Sequence, residues 1–377
     1  MKKIFLTITF IILNVLILIG CNKESEDLAS VTENNLEVKP DPVEETLKNM
    51  TLTEKIGQMT MIGVYGYDID ENNLWMLHQY HCGGVILFNR NIDSKSQVKQ
   101  FIKNLQEQSE EKVPLFIAVD EEGGRVSRLK QIEDKTAPSQ EEIGNSGEIE
   151  AAKIWAENIS DELKLLGINV NFAPVADVGS PDTRSFSNNA ATVASFVNSA
   201  ANGYESKNII YCLKHFPGIG KRITDPHQEI SSIDVSRETL EKEDILPFKF
   251  IIDNHESNKF MVMVSHLKYP AIDENNSATL SNKVMSDLLR NKLGYDGIII
   301  TDDLEMGAIA NHNTFKDVGV KAVEAGADIV LVCHDYTHEQ DVYLVILEAV
   351  QNGKISEERI NESTRRILKV KLNNLSS

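Results

Sequence analysis

From Leu52 onward, short apolar runs alternate with longer amphipathic stretches. The runs Met59–Val64, Gly84–Phe88, Leu115–Asp120, Asn169–Ala173, Ile209–Lys214, Met261–His266, Gly297–Asp302 and Asp328–Cys333 read as strands. Several, such as Gly297-Ile298-Ile299-Ile300-Thr301, are continuously apolar rather than alternating, the pattern of strands buried on both faces of a parallel sheet. Between them Ser96–Glu107, Ile149–Leu166, Ala190–Glu205, Ser281–Leu293, Phe315–Glu324 and Glu339–Val350 carry helical periodicity, and a last helix is expected from Ser356 to about Leu372. Thr51-Leu52-Thr53-Glu54 is a capping box that opens a helix ahead of the first strand. About eight βα repeats over roughly 330 residues predict an α/β fold, a single (β/α)8 TIM-type barrel. A doubly wound open sheet is the alternative, because local periodicity does not close a barrel.

The amino-terminal part reads differently. Lys2 and Lys3 precede the apolar run Ile4–Ile19, whose 16 residues fall short of the roughly 20 that span a bilayer. Basic start and apolar stretch fit a secretory signal peptide over residues 1–20. The run ends Leu18-Ile19-Gly20-Cys21, which resembles a bacterial lipobox, so Cys21 is expected to be lipidated and to anchor the chain to a membrane. An uncleaved anchor helix is the other reading. Either places the body of the protein outside the cytoplasm. Residues 21–45 carry eight acids against Lys23 and Lys39 and no apolar period, as a disordered tether would. The folded domain is expected over residues 46–377.

Charge narrows the function. The 377 residues hold 57 acidic and 38 basic side chains, a formal charge of −19, which argues against nucleic acid as a partner. Cys82, Cys212 and Cys333 lack metal-site and disulfide spacing and sit beside apolar runs, as buried small hydrophobes do. No HExxH occurs, and Gly218-Ile219-Gly220-Lys221 lacks the spacing of a phosphate loop. No metal or cofactor is expected.

In a barrel the chemistry sits on the loops after the strands. Strand three ends Val119-Asp120-Glu121-Glu122-Gly123-Gly124-Arg125, with Arg128 beyond. Strand four runs into Pro174-Val175-Ala176-Asp177, strand five ends Lys214-His215, strand six ends Ser265-His266 and strand seven ends Thr301-Asp302-Asp303. Carboxylates, imidazoles, Lys and Arg converging on one face suit a neutral ligand rich in hydroxyls. Glycoside hydrolysis is the chemistry such a set can run, with Asp302 or Asp303 as the carboxylate that attacks or activates water. The loop after strand five carries Asp225-Pro226-His227, where a carboxylate can fix one ring nitrogen and leave the other for proton transfer.

These residues resemble glycoside hydrolase family 3, in its β-N-acetylglucosaminidase branch, from about Asn49 to the last helix. The carriers are Val119-Asp120-Glu121-Glu122-Gly123-Gly124-Arg125-Val126, Asn169-Val170-Asn171-Phe172-Ala173-Pro174-Val175-Ala176-Asp177 with Arg184-Ser185-Phe186-Ser187, and above all Lys214-His215-Phe216-Pro217-Gly218-Ile219-Gly220 with Asp225-Pro226-His227. The resemblance implies Asp302 as nucleophile, His227 as general acid/base and Asp225 as its partner. It implies Asp120, Arg128, Arg184, Lys214 and His215 as the groups holding the sugar. It further implies a retaining, metal-independent enzyme, most simply monomeric, that removes terminal β-linked N-acetylglucosamine from peptidoglycan fragments.

The chain departs from the family pattern in three places. Ile219 stands where His is usual, Lys221-Arg222 where an acid and a hydroxyl residue are usual, and Pro226 where Ser or Thr is usual. The rival readings are a β-glucosidase or phosphorylase on the same scaffold and a non-catalytic sugar-binding lipoprotein.

Overall fold

A computed structural model describes residues 41–109, 113–133, 136–180, 182–220, 232–307 and 314–375. Eight strands follow one another: β1 (Thr60–Gly63), β2 (Gly84–Leu87), β3 (Phe116–Val119), β4 (Val170–Asn171), β5 (Ile210–Phe216), β6 (Phe260–Val264), β7 (Ile298–Thr301) and β8 (Val330–Val332). They lie in the order β7-β6-β5-β4-β3-β2-β1-β8, with every neighbouring pair parallel.

The two edges of that order meet. Ile300 of β7 bridges Ile329 beside β8, Thr301 N–H donates to Ile329 O at 3.1 Å, and the Thr301 hydroxyl accepts from Leu331 N–H at 3.0 Å. The sheet is therefore a barrel, nearly closed, and the open doubly wound alternative is set aside. The strands are buried on both faces, as their continuous apolar runs predict.

Backbone sterics set the β1–β8 seam. A Cβ on Gly63 would stand 1.9 Å from Cys333 O, so only glycine lets the two strands approach this closely. Cys82, Cys212 and Cys333 are buried, as expected.

The expected helices form, among them Ile149–Leu166, Ala190–Ser206, Phe315–Ala325 and Glu357–Asn374. The segment expected as helix over Ser281–Leu293 is a π-helix over Lys283–Lys292. The helices Glu71–Tyr80, Gln140–Asn145, Arg237–Lys242 and Leu246–Asn254 also went unread in the sequence. The first opens on a capping box built from Asp70 and Asn73 instead of the usual Ser/Thr and Glu, and its buried side is interrupted by Asn73.

The folded unit begins at Asp41 rather than at residue 46. Asp41 caps a helix over Pro42–Asn49 that has Pro at its first position, and Leu47 is buried with Val113 and Leu368. The last five residues assigned to the tether thus pack with the domain, held by Val43 and Leu47 in this cluster and by an ion pair of Glu44 with Arg365. Residues 1–40, which include Cys21, lie outside the described residues.

Candidate active site

The site is built on the strand C-termini, beginning with β3. Asn171 of β4 holds the backbone just past that strand from both sides. It accepts from Glu121 N–H at 3.0 Å and donates to Glu121 O at 2.9 Å. A hairpin of Glu121–Gly123 with Val126–Ser127 then folds the chain back. Glu121 Oε2 accepts from Arg128 N–H at 2.8 Å and Leu129 N–H at 3.0 Å, which returns Arg128 to Asp120. Burial pushes the Glu121 carboxyl up to about 7. Gly123 and Gly124 adopt φ of +88° and +61°, and a Cβ on either would collide with Pro138 O or Ser139 Cβ, so the turn demands glycine.

Five charged side chains interlock above this turn. Lys214 Nζ, at the end of β5, lies 2.8 Å from Asp120 Oδ1 and 2.6 Å from Glu122 Oε1. Arg128 reaches Asp120 Oδ2 at 3.1 Å, and Arg184 forks onto both Glu122 oxygens at 2.9 and 2.7 Å. Burial alone would raise both carboxyls. Lys214, then Arg128 for Asp120 and Arg184 for Glu122, outweigh it and hold both well below the usual carboxylate range. Burial likewise opposes the charge on Lys214, but the two carboxylates reverse that and raise it. Asp120, Glu122, Lys214 and Arg184 therefore stay ionised at neutral pH. They present fixed donors and acceptors to a ligand, and the bidentate Arg184–Glu122 pair fixes the geometry further.

The ends of β5, β6 and β7 complete the wall. Asp302 N–H donates to Val264 O at 3.1 Å, tying the β7 end to β6. Among the described residues Asp302 receives one donor, Asp303 N–H on Oδ1 at 2.9 Å. Both oxygens of Asp303 are taken, Oδ1 by Glu305 N–H at 3.1 Å and Oδ2 by His334 Nε2 at 3.2 Å. His266 also lines the cavity, but both its ring nitrogens are engaged, by Thr279 Oγ1 at 2.8 Å and Asp303 O at 2.7 Å, so it braces the loop. His215 lies beside Lys214 with Nδ1 2.8 Å from Asp177 Oδ2.

Asp120, Arg128, Arg184, Lys214, His215 and Asp302 all line one cavity of about 670 Å³, the size of a small-ligand site. Ile219 shares that cavity, with an apolar side chain where the family pattern has an imidazole. Asp225, His227, Lys221, Arg222 and Pro226 lie outside the described residues.

Sequence reading missed four members of the site. Glu122 stood in the acidic run after β3 but carried no sign of its two cationic partners. Asp177 was seen only as a strand end. Glu305 and His334 follow β7 and β8, and the same strand-end rule applied to Leu331-Val332-Cys333-His334 would have found His334.

The description "Glycosyl hydrolase family 3 N terminal domain" matches residues 51–370. Beta-hexosaminidase A of Pseudoalteromonas piscicida is 35% identical over 326 residues, which cover 78% of this chain and 54% of that protein. Beta-hexosaminidase of Nitrosomonas eutropha is 33% identical, covering 73% of this chain and 80% of its own length. Among solved structures, a glycoside hydrolase family 3 beta-N-acetylglucosaminidase from Paenibacillus sp. aligns with a TM-score of 0.83 and 37% identity, over 86% of this chain and 63% of that one. The chain thus spans little more than half of the Pseudoalteromonas relative. A barrel with charged strand ends around one cavity, matched over nearly all of its length, settles the family: this chain belongs to glycosyl hydrolase family 3.

Proposed function

We propose that the protein is a retaining β-N-acetylglucosaminidase. The observation that carries this reading is the placement of Asp302 on the wall of the cavity that also holds the Asp120–Lys214–Glu122–Arg184–Arg128 network. The network supplies acceptors and donors for sugar hydroxyls. Asp302 supplies a carboxylate with one oxygen uncommitted among the described residues, whereas Asp303 is bound on both. The names of the relatives, beta-hexosaminidase and beta-N-acetylglucosaminidase, support an N-acetylated sugar over glucose.

In the proposed reaction Asp302 attacks the anomeric carbon while His227, protonated, gives its proton to the leaving oxygen. The glycosyl–Asp302 ester is then cleaved by water, which His227 deprotonates, and the anomeric configuration is retained. Asp225 orients the His227 ring. The substrates are terminal β-linked N-acetylglucosaminides of peptidoglycan fragments.

The test is release of phenol from an aryl β-N-acetylglucosaminide, beside the aryl glucoside and with or without phosphate. Asp302→Ala is expected to abolish turnover, and retained activity overturns its role. His227→Ala is expected to cost more with a poor leaving group than with an activated phenol, and equal losses exclude it as the acid. Faster turnover of the glucoside, or a requirement for phosphate, moves the protein to one of its rivals on this scaffold. Sugar binding without product release makes it a binding lipoprotein.

The amino-terminal segment is proposed to export the chain and anchor it through lipid on Cys21, with the barrel outside the cytoplasmic membrane. In bacterial cells fed a labelled fatty acid, the full chain is expected to take up label and Cys21→Ser is not. An unlabelled wild-type chain removes the anchor.

A further inference from the structure

Two histidine–carboxylate pairs bear on the proposed reaction, beside the His334–Asp303 contact already described. One, Asp225 and His227, rests on sequence. The other is built by β4 and β5. Asp177 is fully buried, and its carboxylate meets two backbone N–H groups and one ring nitrogen. Oδ1 accepts from the backbone N–H of His215 at 3.1 Å and of Ile219 at 2.8 Å, while Oδ2 faces His215 Nδ1 at 2.8 Å. Ser185 Oγ donates to Asp177 O at 2.6 Å and locks the residue from behind. His215 lines the cavity, and its Nε2, across the ring from Asp177, has no partner among the described residues.

We infer that Asp177 is a positioning residue that sets how His215 reads the substrate. It holds the proton on Nδ1, so Nε2 meets the sugar as a hydrogen-bond acceptor that selects a ring hydroxyl able to donate. The physical ground is the acceptor-only character of an ionised carboxylate: Oδ2 leaves Nδ1 no role except that of donor. Lys214 and Arg128 act on the sugar as donors and Asp120 as an acceptor, and an acceptor imidazole beside them adds a second group that selects a donating hydroxyl. The same carboxylate pins Ile219 N–H. One buried side chain thereby fixes the imidazole and the start of the loop that leads to Asp225 and His227. This inference rests on the proposed reading of His215 as a sugar-holding residue.

The decisive variant is Asp177→Asn. The position of Oδ1, between two backbone N–H groups, must keep an oxygen. The amide nitrogen therefore takes the place of Oδ2 and donates to Nδ1, which transfers the ring proton to Nε2. Long-range 1H–15N spectra of the labelled protein, above the imidazole titration and assigned with His215→Gln, are expected to show Nδ1–H in the wild type and Nε2–H in Asp177→Asn. A wild-type ring protonated on Nε2 overturns the inference.

Kinetics gives the second arm, with aryl N-acetylglucosaminides in which each free ring hydroxyl in turn is replaced by fluorine, which accepts but does not donate. One member is expected to lose roughly tenfold or more in kcat/KM with the wild type, the penalty for a missing partner to a site group. That penalty is expected to shrink in Asp177→Asn. A uniform loss across the series makes Asp177 a scaffold residue only and overturns the inference. If the wild type turns over none of these substrates, the proposed function fails, and the tautomer spectra alone decide the role of Asp177.

Discussion

A single ammonium, Lys214, holds the buried carboxylate of Glu122 and the partly buried one of Asp120, and each of those also holds an arginine. Removing one member of such a group leaves charge stranded in a region of low dielectric, which costs far more than the intact group contributes. Lys214→Met is therefore expected to lower unfolding stability by about 3–5 kcal/mol, read by denaturant titration, and to abolish sugar release. A variant that melts like the wild type refutes that account of the network. None of these pairings was legible locally, although every participant except Glu122 was picked out from the sequence. Lys214 and Asp120 are 94 residues apart, and Arg184 is 62 from Glu122. What could be read was that polar groups ending apolar strands of a parallel barrel share one face. Which oxygen meets which nitrogen depends on stagger and side-chain reach across strands.

At the scale of elements the two ends of the barrel do different work. The strand C-termini carry the cavity. The other end carries Asp328, just before β8, whose buried carboxylate accepts from Arg290 at 2.7 Å, Arg366 at 3.1 Å, Ser363 at 2.7 Å and Ile299 N–H at 2.9 Å. It joins β7, the π-helix Lys283–Lys292 and the last helix. Burial raises its carboxyl, but Arg290 and then Arg359 outweigh that and hold it low. Asp328→Ala strands these arginines against the barrel floor. It is expected to cost about 3–5 kcal/mol in urea unfolding while leaving KM of the folded protein unchanged. A change in KM at equal stability contradicts this division of labour. The elements themselves were largely readable, because both-face burial writes a strand as an uninterrupted apolar run. The helix Glu71–Tyr80 was not, since a polar residue breaks its buried side.

For the molecule as a whole, pH acts on stability through a group that the proposed reaction does not use. Glu339 is buried in the helix Tyr336–Gln351, and neither carboxylate oxygen finds a hydrogen-bond partner among the described residues. Burial, then the nearby Glu305 carboxylate, pushes its pKa up to about 9. The native state thus keeps a proton that the unfolded chain gives up above the ordinary carboxyl range. Stability from this group is full below that range and is lost as pH rises toward about 9. Glu339→Gln is expected to melt several degrees higher than the wild type near pH 8, with the gap closing toward about pH 5. A gap independent of pH excludes Glu339 as its source.

The sequence alone determined the number and chain order of the strands, and it marked most of the residues around the cavity. Both are local signals, written in the apolar runs and in the polar residues that end them. The tertiary structure decided that β7 meets β8, because that contact joins the two edges of the sheet. It also decided that Glu122 braces Lys214 and Arg184, that Asp303 is spent on His334 while Asp302 keeps an oxygen uncommitted among the described residues, and that Asp177 grips His215. Each of these joins residues on different strands. Such pairings are set by barrel stagger and by the need to satisfy buried charge, which no local period records.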